Sequence, residues 1–278
     1  MAERIDAHHH LWQFNEEEYG WLRESGMAAL ERDFLVADLE REMAAAGMDG
    51  AVAVQARQTM EETRWLLGLA KESKAIRGVV GWAPIAAPEF PAVLEELRAD
   101  GDLKGLRHVI QGEPDENYIL REDLNAGIRR LRGSSLVYDI LIFERHLPQT
   151  IRFVDAHPEQ CFVLDHVGKP RILADVLEPW ATNIRELARR ENVWCKVSGM
   201  VTEADWKTWS AETLRPYLDV VTEAFGPQRL MAGSDWPVCL AATGYKQWFE
   251  VLEQYVAKFS FTERDAILGG TAKRVYGL

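Results

Sequence analysis

Short apolar runs rich in β-branched residues alternate with longer amphipathic runs from one end of the chain to the other. The short runs predict eight strands, over 4–10, 50–56, 76–85, 103–110, 134–141, 161–168, 192–199 and 229–238. Between them the period lengthens. In LVADLEREMAAAG, 35–47, the residues Leu35, Leu39, Met43 and Ala46 share one helical face and Gly47 supplies a C-terminal stop. Further helices are predicted from Thr59, Pro88, Leu177 and Glu212. A last pair begins near Tyr245 and at Thr262, which is read as an N-cap with Asp265 three residues on.

Strands alternating with helices, with no linker and no second compositional regime, predict one (β/α)8 TIM barrel domain over residues 1–278. A doubly wound open sheet is the competing architecture. It is disfavoured because no GxGxxG follows the first strand and eight strands close a barrel without remainder. One stretch departs from the alternation: residues 11–34 precede their helix at length and predict an extended first loop over the barrel mouth.

Composition narrows the partners more than the fold. The 47% hydrophobic content and ten tryptophans furnish a core for 278 residues. A net charge of −12 argues against phosphate backbones and anionic membrane surfaces, and no apolar run reaches the roughly 20 residues needed to cross a bilayer. Three scattered cysteines, Cys161, Cys195 and Cys239, form neither a disulfide framework nor a zinc pattern. With no secretory signature in the sequence, they predict a cytoplasmic protein that acts on a small molecule, with a homo-oligomer open.

In a barrel, function gathers where the strands end. The predicted strand ends carry His8 and His10, Arg107 and His108, Asp139, Asp165 and His166, Lys196 and Ser198, and Ser234 and Asp235. Side chains alternate along a strand, so His8 and His10 share a face and His9 turns the other way into packing. Three histidines are few for an affinity tag, and apolar residues flank them. His8, His10, His166 and Asp235 would converge at one mouth, as ligands of a divalent cation or as a base, Asp235, beside imidazoles that polarise a carbonyl. Arg107 and Lys169 are candidate anchors for a substrate oxygen, and Trp82, with Trp12, Trp206 and Trp236, a flat platform or core filler.

The ordered set IDAHHHLW, GVVGWAPI, LKGLRHVIQ, DILIFERHLP, VLDHVGKP, KVSGMVTEADW, GSDWPV and ILGGTAKRVYGL resembles the amidohydrolase superfamily over essentially the whole chain. Within it, the resemblance is to sugar lactonases of the L-fuconolactonase and L-rhamnonolactonase type. It implies a (β/α)8 barrel with the first-strand H-x-H on His8 and His10, the sixth-strand histidine on His166 and the eighth-strand aspartate on Asp235. The superfamily's binuclear members carry a bridging Lys or Glu on strand four and a histidine on strand five, where this chain has GLRHV and YDILI. The resemblance therefore implies one divalent metal, such as zinc, or none. The implied reaction is opening of an aldonolactone by water, with Asp235 as base and Arg107, His108, Trp82 and Lys169 binding substrate. A mononuclear-metal decarboxylase acting on an unsaturated or aromatic acid is the alternative.

Overall fold

The computed structural model describes residues 3–278. Eight parallel strands stand side by side in chain order: β1 (Ile5–His9), β2 (Gly50–Val54), β3 (Ile76–Gly81), β4 (Leu103–Val109), β5 (Val137–Leu141), β6 (Phe162–Leu164), β7 (Val193–Val197) and β8 (Leu230–Ala232). The ring closes just beyond β8. There the Asp235 N–H donates to the His8 carbonyl at 2.8 Å, and the His10 N–H donates to the Trp236 carbonyl at 2.6 Å. Helices α1 (Val36–Ala46), α2 (Met60–Glu72), α3 (Phe90–Arg98), α4 (Glu122–Arg130), α5 (Leu147–Asp155), α6 (Trp180–Ala188), α7 (Ala211–Phe225) and α8 (Tyr245–Val256) each follow the strand of the same number. Two short helices, α9 (Phe261–Asp265) and α10 (Thr271–Tyr276), close the chain. This is the (β/α)8 barrel that the alternation predicts. Among the described residues, no helix is long and apolar enough to cross a membrane.

The helix signals follow local chemistry. Gly47 ends α1 at φ 67°, a left-handed angle that glycine adopts without steric cost. Thr59 caps α2, its hydroxyl accepting the Glu62 N–H at 3.2 Å. The last cap corrects the sequence reading. Ser260 and not Thr262 starts the closing pair, in a reciprocal arrangement with Glu263: the Ser260 N–H donates to the Glu263 carboxylate at 2.9 Å, and the Glu263 N–H returns to Ser260 Oγ at 3.4 Å. The sequence pattern predicts neither α4 nor α5, and α6 begins at Trp180, later than the predicted Leu177.

Burial divides into a shell and a plug. The shell packs the helices against the outer strand faces. The plug fills the lower barrel with Ile5, Ala7, Val52, Val54, Val80, Val137, Val163 and Met231, and Tyr276 seals it from below. Above that apolar floor, the inward positions two residues further along β4 to β7 become charged: Arg107, Asp139, Asp165 and Lys196, each nearly or fully buried.

Strand β1 breaks its own alternation to reach that upper layer. Asp6 pairs with Ala51 and His9 with Ala53, so β1 spends three steps where β2 spends two. This one-residue bulge lets Ile5 and Ala7 face the apolar plug while His8 also turns inward. Asp6 is left outside the barrel, where its carboxylate accepts the His8 N–H at 3.0 Å, the Ser234 N–H at 2.8 Å and the Ser234 hydroxyl at 2.6 Å. The bulge is thereby tied to β8.

Strands β6 and β8 are shorter than predicted, and the reason is functional geometry. After Leu164 the chain turns through His166, Val167, Gly168 and Lys169 at φ 52°, 49°, 72° and 48°, and after Ala232 it reaches Asp235 at φ 59°. Non-glycine residues enter this left-handed region at a cost, most of all a β-branched valine.

Candidate active site

At the strand ends a cavity of about 450 Å3 opens, lined by His10, Arg107, His166, Lys169, Glu203 and Asp235 among others. Trp12, Trp21, Ser25 and Met27 of the first loop form its outer wall. His8 lies fully buried under this floor.

Four ligating atoms gather there. His8 Nε2 and His10 Nε2 are 3.2 Å apart, and Asp235 Oδ1 lies 3.4 Å from His10 Nε2, 3.8 Å from His8 Nε2 and 3.8 Å from His166 Nε2. Tetrahedral bonds of about 2.0–2.2 Å would set ligand atoms about 3.3–3.6 Å apart, so His8, His10 and Asp235, 3.2–3.8 Å from one another, fit a single divalent cation. His8, His10 and Asp235 form one candidate ligand group, and His8, Asp165 and His166 another. Outer contacts orient the rings. His10 Nδ1 meets the Val54 carbonyl at 2.8 Å, an acceptor that puts the ring proton on Nδ1 and a lone pair on Nε2. His166 Nδ1 meets Ser198 Oγ at 2.9 Å.

Beneath the histidines runs a buried charge network that the sequence did not assign. Lys196 Nζ donates to Asp139 Oδ2 at 2.5 Å and stands 3.0 Å from Asp165 Oδ1 and 3.2 Å from His8 Nδ1. Arg107 donates to Asp165 Oδ2 at 2.9 Å and to Gln55 Oε1 at 3.0 Å, and the Tyr276 hydroxyl donates to Asp139 at 2.9 Å. His8 Nδ1 thus has two partners of opposite sense. An N–H there donates to Asp165, 3.3 Å away, and frees Nε2 for a cation; a lone pair there accepts from Lys196 and leaves Nε2–H as a donor.

Electrostatics separate the acid–base roles. Burial, with the Lys196 charge beside it, holds His8 well below the ordinary imidazole range, and burial lowers His166 to about 4. Both rings are neutral near pH 7. Burial opposes charge on Asp235, yet His166, His10 and Lys169 hold its carboxyl below the ordinary value. Burial likewise opposes charge on Asp165, and Lys196, His8 and Arg107 overcome it.

Of the residues singled out by sequence, the structure brings together His8, His10, His166, Asp235, Arg107 and Lys169. It does not bring Trp82 and His108 into the cavity lining. They bond each other, Trp82 Nε1 donating to His108 Nδ1 at 3.3 Å, while His108 Nε2 meets Glu113 at 2.6 Å and its ring stacks on Tyr118 at 5.0 Å. Arg107 and His108 are neighbours in a strand, and alternation turns one of them away from the barrel axis. Of the proposed aromatic platform, only Trp12 lines the cavity. Trp236 is buried in the shell, edge-on to Phe34 at 5.3 Å. His9 is fully buried, on the opposite side of the strand from His8 and His10, and neither of its ring nitrogens meets a hydrogen-bond partner among the described residues.

A family model described as amidohydrolase matches residues 5–278. An L-fucono-1,5-lactonase of Burkholderia multivorans is 41% identical, over 100% of this chain and 97% of that protein. An L-fucono-1,5-lactonase of Burkholderia ambifaria is 35% identical, over 99% of this chain and 96% of that protein. A crystal structure of a Burkholderia multivorans amidohydrolase with bound zinc superposes with a TM-score of 0.95 at 40% identity, covering 100% of both chains.

Proposed function

The chain belongs to the amidohydrolase family, and within it we propose that the protein opens a sugar-acid lactone of the L-fucono-1,5-lactone kind to the free acid. The observation that carries this reading is the convergence of His8, His10 and His166 on the Asp235 carboxylate at the floor of a sugar-sized cavity. Full-length similarity to two L-fucono-1,5-lactonases supports it.

Asp235 is ionised at neutral pH and accepts a proton from water as the water oxygen attacks the lactone carbonyl carbon. Arg107 and His166 face the same floor, where they polarise the carbonyl and stabilise the oxyanion that forms. The tetrahedral centre collapses, the bond from carbonyl carbon to ring oxygen breaks, and the proton on Asp235 passes to that oxygen. The product is a hydroxy acid. His8, His10 and Asp235, with His166 3.8 Å from the same carboxylate oxygen, would hold a divalent ion such as zinc, which supplies Lewis-acid polarisation when bound. Lys169 binds substrate at the cavity wall. The reading includes one domain spanning the chain, supported by a family match over 5–278, and a cytoplasmic setting, supported by three unpaired cysteines.

A pH-indicator assay across a panel of aldonolactones, with and without chelator, tests this directly. Acid release from L-fucono-1,5-lactone is the expected result, and silence across the panel overturns the proposal. Activity that survives chelation shows that the protein's own donors suffice and excludes the decarboxylase alternative, which needs its metal. Activity lost to chelator and restored by zinc assigns the ion to the reaction.

A further inference from the structure

The lining of the cavity contains polar groups that the water-attack chemistry leaves unused. Lys169 and Glu203 face each other at 3.5 Å (Nζ to Oε1), with the Lys169 ammonium 5.4 Å from the centre of the Phe143 ring. Their side chains keep 16% and 23% of their exposure, enough for a ligand to reach and too little for full hydration. Across the lining, Gln111 Oε1 is buried and meets no hydrogen-bond donor among the described residues. Arg107, by contrast, is held by Asp165 and Gln55.

Backbone strain aims Lys169. Lys169 leaves the same left-handed turn as His166, three residues earlier, so one strained segment delivers both the floor imidazole and the wall ammonium. Glu203 comes from the loop after β7 and meets Lys169 there. A carboxylate offers two acceptor oxygens and an ammonium three donors, while the Gln111 amide supplies an acceptor with no partner of its own. Adjacent hydroxyls each present one donor and one acceptor, which is the complement of this set.

Resting on the lactonase reading, we infer that Lys169, Glu203 and Gln111 form the subsite that recognises the hydroxyls of the substrate, so that the protein selects polyhydroxylated lactones over bare lactones of the same ring size. A site built to hydrogen-bond hydroxyls rejects an analogue without them, because its buried polar groups are then left unpaired.

The test compares kcat/KM for a six-carbon aldono-1,5-lactone and for δ-valerolactone in wild type, Glu203→Gln, Lys169→Met and Gln111→Ala. Wild type is expected to favour the aldonolactone by at least about 100-fold. Each of the three variants is expected to lose more on the aldonolactone than on δ-valerolactone, so that the wild-type preference shrinks by about 10- to 100-fold. An equal loss on both substrates, or no loss on either, overturns the subsite. So does a wild-type protein that opens both lactones equally well, a measurement that needs no variant to fold. A wild type that opens neither overturns the lactonase reading itself, and the subsite falls with it.

Discussion

Asp235 sits at φ 59°, an angle that aspartate and asparagine tolerate better than other non-glycine residues. Asp235→Asn therefore preserves size and backbone preference while removing the proton acceptor. The variant is expected to keep its melting temperature within about 2 °C, bind the product acid within about threefold by calorimetry, and lose about 10^2- to 10^4-fold in kcat. Near-wild-type turnover would remove Asp235 from the mechanism. The residues at the barrel mouth are legible in the sequence because parity and strand ends are local properties, and so is the outward direction of His108. His108 follows Arg107 directly in β4, and adjacent strand residues face opposite ways. The Lys196, Asp139 and Asp165 network is legible only as a set of polar strand ends, since pairing across the barrel depends on stagger between strands and not on spacing along one.

At the scale of elements, eight parallel strands are legible because both of their faces are buried, which makes each a nearly unbroken apolar run. The missed helices have weak signals for identifiable reasons. Helix α4, EDLNAGIRR, carries Gly127 in its interior, and a Cβ at that position would lie 2.0 Å from the Ile85 carbonyl oxygen, so packing imposes the residue that weakens the local pattern. The bulge in β1 has no sequence mark at all. Another element-level device is Glu62, buried in the first turn of α2, whose carboxylate accepts the Ala56 N–H at 3.1 Å and the Arg57 N–H at 2.7 Å and so fastens the loop from β2, including the cavity residue Ala56. Burial raises Glu62 from 4.5 to about 7. The folded state then holds a proton that the unfolded chain releases, so this stabilisation is complete below pH 4.5 and is lost as pH rises through 7, to the extent of about 3 kcal/mol. Glu62→Gln removes that slope. Wild type is expected to lose ground to the variant between pH 5 and pH 8 in paired thermal melts, and parallel melts at all pH values would refute the assignment.

At the scale of the molecule, the barrel is layered along its axis: an apolar plug sealed by Tyr276, a charged layer from Arg107 to Lys196, and the histidines at the mouth. The layers couple the chain's end to its beginning. Tyr276 reaches Asp139 from below, and Gly269 lies so close to β1 that a Cβ there would stand 2.1 Å from the Glu3 carbonyl oxygen and 3.0 Å from the Ile5 N. Those are backbone atoms, which cannot rotate aside, so Gly269→Ala forces the start of β1 away from the closing segment. Overpacking of this kind costs about 1–3 kcal/mol or more, and a domain of this size shifts its melting point by about 2–4 °C for each kcal/mol. A fall on the order of 5–10 °C is expected for Gly269→Ala. The neighbouring Gly270→Ala, whose new Cβ would come no nearer than 3.3 Å to the Asp265 carbonyl oxygen, serves as the control and is expected to stay close to wild type. Because β1 also carries the bulge that turns His8 inward, Gly269→Ala should lower kcat at temperatures well under its melting point, while Gly270→Ala should not. Equal melting points and equal rates for the two variants would show that the closing helices do not brace the site.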